Sequence, residues 1–246
     1  MGLTRKSAFT LAEVLITLGI IGIVAAMTLP ALIQSHREKQ TVSQLKKFYS
    51  VMSNAFLLAY NEHGALDDWG ISNNDNTDAE AANGFKNTFI KNIKPYLKVT
   101  KFCEFGDASC EKSPYSIYSL DGTAHIVEYA KFLPHLVLAD GSSIIHLWFT
   151  GTNYNTKYGE IYVDLNGSKN PNKLGEDIFV FGLTGTKIYP YGIPDAPVNF
   201  SFDTMCSLKN KDRKNGYGCA GWVIYQENMD YLRCNDLSWN GKKKCN

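Results

Sequence analysis

The chain has 246 residues, with 25 basic and 24 acidic side chains and a formal net charge of +1. That balance excludes a global basic field of the kind that gathers nucleic acid, and the length allows one long helix plus one domain with a real core. Aromatic residues make up 13 %, with 14 Tyr and 13 Phe, which suits a β-rich domain with partly exposed aromatic faces.

Arg5 and Lys6 precede an apolar run that has no charged side chain from Val14 to Gln34. This is roughly the 20 residues that an α-helix needs to cross the hydrocarbon core of a bilayer. The basic pair predicts that the short N-terminus stays cytoplasmic and the bulk of the chain crosses. Glu13 lies at the mouth of the run, where a lone charge in lipid costs several kcal/mol unless it is paired or reaches the interface. The small-bulky junction Ala8-Phe9 stands before the apolar run. Secretory signals carry their small-residue cleavage site after it, so a cut here would remove a basic leader and keep the helix.

Over Ser7 to Ile33 the sequence resembles the N-terminus of the type IV pilin and type II secretion pseudopilin family. Ala8 followed by Phe9-Thr10-Leu11-Ala12-Glu13-Val14 looks like the processing site, and Gly19, Gly22 and Pro30 fall where these helices often carry helix-loosening residues. Ala8 departs from the Gly more often found before the cut. The resemblance implies that a prepilin peptidase cuts between Ala8 and Phe9, that the new Phe9 amine is N-methylated, and that Glu13 meets the Phe9 ammonium of a neighbouring subunit in a filament core. An unpaired acid and an unpaired amine are both costly in an apolar bundle, and pairing makes them tolerable, so it specifies register more than it adds stability. The implied partners are other pilin-like subunits in a homo- or hetero-filament, membrane lipid, an assembly ATPase and a membrane platform. The implied location is the inner membrane, with the C-terminal domain exported to the periplasm or cell surface. Two rival readings leave Glu13 unexplained: a secretory signal cut near Val24-Ala25-Ala26, releasing a domain from Met27, and a plain single-span anchor.

Beyond Pro30 the pattern turns amphipathic. Val42, Leu45, Phe48, Tyr49, Met52, Phe56, Ala59 and Tyr60 recur at three- and four-residue steps, with Arg37, Glu38, Lys39, Lys46 and Lys47 mainly on the other face. One helix is expected from about Thr10 to Glu62, loosened near Pro30 and stopped by Gly64. The chain then divides into a leader (1–8), a transmembrane and filament-core helix (9–33), an amphipathic half of the same helix (34–63) and an exported α+β domain (64–246).

Asp67 to Asn76 is polar and turn-rich, after which Asp78 can cap a helix through about Lys94, with Phe85, Phe89 and Ile93 on one side and Pro95 ending it. Strands are expected at Tyr115 to Leu120, at Leu136 to Ala139 and Ser143 to Phe149 around the hairpin signal Asp140-Gly141, and at Glu160 to Leu165 and Asp177 to Leu183. The last of these turns through Gly185 toward Lys187-Ile188-Tyr189. These make an antiparallel sheet of four or five strands, one face of which receives the helix: an α+β class, pilin-like, with disulfide-bearing loops.

Between two strands, Asp164, Asn166 and Asp177 offer hard oxygens on a loop that also holds Asn-Gly and Asn-Pro turns. Turn chemistry favours a proline-stiffened turn, and calcium is the alternative. The EF-hand pattern is absent, though some pseudopilins bind calcium in loops of this general kind.

Six cysteines, Cys103, Cys110, Cys206, Cys219, Cys234 and Cys245, all follow the apolar helix, and an even count on the exported side reads as disulfides. Spacing favours local loops, pairing 103 with 110, 206 with 219 and 234 with 245. Without C-x-x-C or a nearby His pair, zinc is disfavoured. Ala220 to Leu232 is expected to form a short helix on the sheet edge. The runs Lys209 to Lys214 and Lys242 to Lys244 read as solvated, and no nucleic-acid motif accompanies them. The five histidines, His36, His63, His125, His135 and His146, have no nucleophile elbow, phosphate loop or H-E-x-x-H about them. The sequence therefore reads as a structural assembly subunit and not an enzyme. An exported, calcium-dependent interaction domain on a simple anchor, or released by signal peptidase, is the alternative.

Overall fold

The computed structural model describes residues 10–69, 89–103, 116–123, 125–126, 135–150, 158–167, 169–197 and 200–245. The chain divides into two units, residues 1–40 and 41–246. Helix α1 (Leu11–His63) supplies the described part of the first and opens the second, and the helix assignment continues through Pro30. In the first unit Leu15, Ile16, Leu18, Ile20, Ile21, Ile23, Met27 and Leu32 are all exposed. Thr17 and Thr28 donate their hydroxyls to the carbonyls of Val14 and Val24, both at 2.9 Å, so neither presents a bare polar group to an apolar surrounding. Among the described residues, α1 is the one helix long and apolar enough to cross a membrane.

In the second unit the periodic positions of α1 go inward: Leu45, Phe48, Met52, Ala55, Phe56 and Ala59 are buried. Gly64 stops the helix at φ 80°, a left-handed conformation that favours glycine, with its N–H on the Tyr60 carbonyl at 2.9 Å. A 3₁₀ turn at Leu66–Asp68 follows.

Six antiparallel strands form one sheet in the order β1-β4-β5-β6-β7-β8: β1 (Val99–Cys103), β4 (His135–Leu138), β5 (Ser143–Thr150), β6 (Tyr158–Asp164), β7 (Ile178–Leu183) and β8 (Ile188–Pro190). A separate two-stranded ribbon joins β2 (Ile117–Tyr118) to β3 (His125–Ile126). Together with α1 this is the pilin-like α+β architecture. The Asp140-Gly141 hairpin forms as expected, with Gly141 at φ 89° and the Leu138 N–H on the Ser142 carbonyl.

Several expectations are corrected in detail. The main sheet has six strands instead of four or five, because β1 adds to the β4 edge. The strand expected over Tyr115 to Leu120 contracts to Ile117–Tyr118. Asp78 and Phe85 lie outside the described residues; residues 89–93 are helical, and the helix ends within a residue of the expected Lys94, where a 3₁₀ turn at Lys94–Tyr96 carries Pro95. The C-terminal helix, here α3 (Cys219–Gln226), is shorter than expected: Glu227 turns left-handed at φ 55°, and a 3₁₀ turn at Asp230–Leu232 replaces its continuation. The short helix α2 (Phe202–Met205), which the sequence reading lacked, is capped by Ser201.

Strand period decides which core each side chain enters. In β7, Phe179, Phe181 and Leu183 join the cluster containing the buried residues of α1, with the Phe48 and Phe181 ring centroids 5.4 Å apart. Ile178 and Val180 join a second cluster with Tyr162, Tyr189, Tyr191 and Tyr217. β7 is thus buried on both faces. In β5 the register shifts between Ile144 and His146, so Ile144 and Leu147 enter the first cluster and Ile145 the second.

Candidate functional site

Thr10 and Glu13 close the start of α1 reciprocally. The Thr10 N–H and hydroxyl reach Glu13 Oε2 at 2.8 and 2.9 Å, and the Glu13 N–H reaches Thr10 Oγ1 at 3.3 Å. This is a capping box, and it satisfies backbone donors that a helix start otherwise leaves open. Both Thr10 donors engage Oε2. Ala8 and Phe9 lie outside the described residues.

The loop between β6 and β7 is organised by Asp177. Its Oδ2 accepts from Asn166 Nδ2 at 3.0 Å and from the Asn172 N–H at 2.9 Å, and its Oδ1 accepts from the Lys173 N–H at 2.7 Å. Asp164, at the end of β6, is fully buried and accepts the Asn166 N–H on Oδ1 at 2.9 Å. Burial pushes the Asp164 carboxyl up to about 8, with the charge of Asp177 adding to the rise and the backbone N–H groups of Asn166 and Gly167 opposing it. Burial raises Asp177 as well, against the three donors that hold it. Asp164, Asn166 and Asp177 therefore do come together. The sequence reading missed Asn172, which sits at φ 52° and whose oxygen is also turned inward; the signal available was an Asn after a Pro, where left-handed backbone is tolerated. Among the described residues no three His, Cys, Asp or Glu side chains cluster as a metal centre, so any cation here would lean on the two asparagines.

On the second face of the sheet, Glu160 is buried and accepts from Tyr191 at 2.8 Å and Tyr162 at 3.3 Å, while Tyr162 also meets the Tyr217 hydroxyl. Burial raises the Glu160 carboxyl to about 7, opposed by the charge of Lys214 and the Tyr162 hydrogen bond. The sequence reading assigned Glu160 only to a strand, because its fate depends on tyrosines brought from β6, the segment after β8 and the approach to α3.

The C-terminal segment is tied by two disulfides, Cys206–Cys219 and Cys234–Cys245, with Cα atoms 5.1 and 6.0 Å apart. The Cys103 side chain and Cys110 lie outside the described residues. His36 and His63 lie on α1; the side chains of the other three histidines fall outside the described set.

Residues 3–29 match the prokaryotic N-terminal methylation motif. The chain thus carries a prepilin motif of the type IV pilin and pseudopilin kind, which marks a pilin-like substrate of prepilin peptidase, fits membrane anchoring through α1 and points to a structural subunit. Residues 31–221 match the family described as "Family of unknown function (DUF6613)", and since that is most of its length, the chain belongs to this family. No curated protein and no solved structure matches the chain.

Proposed function

We propose that this chain is a filament subunit, a type II secretion pseudopilin or a type IV pilus subunit, drawn into its assembly through α1. The observation that carries the reading is the methylation motif over residues 3–29, set on a helix whose apolar side chains are exposed in the isolated chain. In this reading residues 1–8 are the leader and the cut falls between Ala8 and Phe9. Residues 9–33 form the membrane and filament-core helix, 34–63 its amphipathic half, and 64–246 the exported domain. The subunit waits in the inner membrane with that domain on the periplasmic side, and an ATPase with a membrane platform drives its assembly. Glu13 pairs with the methylated Phe9 amine of a neighbour; Thr10 engages only Oε2, which leaves Oε1 for that amine. In an apolar bundle the two charges are tolerable together and costly apart.

Intact-mass and N-terminal analysis of the protein recovered from membranes of its native host tests this directly. The expected mature chain begins at Phe9 and carries an added methyl. A chain beginning at Met27, or an uncut Met1, overturns the reading. Glu13→Ala should still be cut and should fail to enter filaments; normal incorporation of that variant would remove Glu13 from its assigned role.

A further inference from the structure

The two disulfides of the C-terminal segment stand in different surroundings. Cys206 and Cys219 are buried in the main core, and a Cβ added at Gly175 would come within 2.6 Å of Cys219 Sγ, so that sulfur lies close against the backbone of the loop between β6 and β7. Cys234 and Cys245 are only half-buried. Thiol–disulfide exchange begins with a thiolate reaching a sulfur, so access separates the two bonds.

The outer bond closes the stretch 234–245, and that stretch seats a lysine among aromatic rings. Lys243 Nζ donates to the Ser238 carbonyl at 3.0 Å and to the Trp239 carbonyl, and it lies 5.5 and 5.4 Å from the ring centroids of Trp222 and Trp239. Its charge is met by ring faces and carbonyl dipoles, whereas the neighbouring Lys242 pairs with Asp236 at 2.9 Å. Trp222 is fully buried, stacked on Phe202 at 4.0 Å, and its indole N–H donates to Asn228 Oδ1 at 3.0 Å. Asn228 in turn donates its amide to the Lys243 carbonyl at 3.2 Å, so backbone and side chain of Lys243 are both tied to the surroundings of Trp222. Two residues on, the Cys245 N–H donates to Asp230 Oδ2 at 2.8 Å, and the Cys234 N–H donates to the Asp230 carbonyl at 3.0 Å. Both ends of the stretch are gathered at Asp230, and the disulfide is the covalent part of that closure. Opening a loop closed over a sequence separation of 11 returns conformational freedom to it.

We propose that Cys234–Cys245 is a reducible clasp: oxidised, it holds Lys243 on Trp222 and Trp239; reduced by a dithiol, it lets the stretch 234–245 lift and uncovers the aromatic pair. In the exchange a reductant thiolate attacks one sulfur of the bond, forming a mixed disulfide and releasing the other cysteine as a thiolate that takes up a proton. The reductant's second thiol then closes its own disulfide and releases the second cysteine, so two electrons and two protons pass from the dithiol to the protein. Cys206–Cys219 stays closed at that stage and continues to hold the core. The clasp does not depend on filament assembly.

The test uses the full chain in detergent. Limited treatment with dithiothreitol, followed by alkylation and peptide mass mapping, should label Cys234 and Cys245 about tenfold or more faster than Cys206 and Cys219. Over the same interval tryptophan emission should shift to the red and become more open to acrylamide quenching, and both changes should revert on re-oxidation. Lys243→Met, which keeps an apolar stem and removes the ammonium, should show part of that tryptophan change while the disulfide is intact. The double variant Cys234→Ser, Cys245→Ser should already have the reduced chain's emission and change no further over the dithiothreitol interval. Equal labelling of the two bonds overturns the clasp. So does reduction of Cys234–Cys245 that leaves emission and quenching as they were, or an oxidised Lys243→Met chain indistinguishable from wild type.

Discussion

The two stretches of α1 share one secondary structure and little else. From Leu11 to Gln40 the side chains are apolar at first on every side and exposed; from Thr41 to His63 apolar residues recur at helical steps and Leu45, Phe48, Met52, Phe56 and Ala59 vanish into the core. Period is the difference. A helix with one apolar stripe can satisfy itself against its own sheet, while one that is apolar all round needs a surrounding of lipid or other helices. The same contrast separates what stabilises the globular domain from what should drive the proposed assembly.

The largest effect should come from truncating the inward stripe. Phe48→Ala removes a fully buried ring tilted against that of Phe181 and should cost about 3–5 kcal/mol in denaturant unfolding of the globular domain. Ile21→Ala, an equally apolar residue of the other stretch, should change that value by less than about 0.5 kcal/mol in detergent. Equal losses at the two positions would break the comparison.

Next comes Glu160, on the face of the sheet away from α1. Its carboxyl is held near 7 against an ordinary 4.5, so below about 4.5 it is protonated folded or unfolded and has no influence. As pH rises toward 7 the unfolded chain gives up its proton first, and stability should fall by about 3 kcal/mol once both states are ionised. Unfolding curves at about pH 5 and about pH 8 should differ in that direction for the wild type, and the gap should narrow for Glu160→Gln, leaving the part that the raised carboxyls of Asp164 and Asp177 contribute with the same sign. A wild type more stable at the higher pH would show that another group dominates.

Smallest is the outward side of the buried stretch, where Lys46 on α1 pairs with Glu227 just past α3, both exposed. Lys46→Ala should leave the melting temperature within error, because water and salt screen such a pair. A clear loss would mean that the solvent side of α1 carries part of the domain's stability.

Much of this was legible from local pattern. The apolar run, the charges before it, the change of period after Pro30, the Gly64 stop and the Asp140-Gly141 turn are each written in adjacent residues. β1 was not legible. Its sequence, Val-Thr-Lys-Phe-Cys, lacks a flanking turn signal, and it becomes a strand by pairing with His135 to Leu138, some 35 residues away. β7 shows the same limit: Ile-Phe-Val-Phe-Gly-Leu is apolar at every position but the glycine, so pattern alone could not say that Phe179 and Phe181 would meet α1 while Ile178 and Val180 would meet tyrosines.

The candidate sites divide in the same way. Glu13 was conspicuous because a single charge beside an apolar run is costly wherever the chain goes, and that argument needs no tertiary contact. Asp164, Asn166 and Asp177 could be named as oxygens on a loop. What no local pattern announced is that Asp177 draws in the Asn166 amide and the N–H groups of Asn172 and Lys173. The sequence by itself determined the apolar helix, its processing motif and the class of fold, because these rest on the hydrophobicity and spacing of neighbours. The tertiary structure alone decided the sixth strand, the two-sided burial of β7 and the gathering of N–H donors on Asp177. Those depend on which distant groups arrive to satisfy a buried backbone or a buried charge.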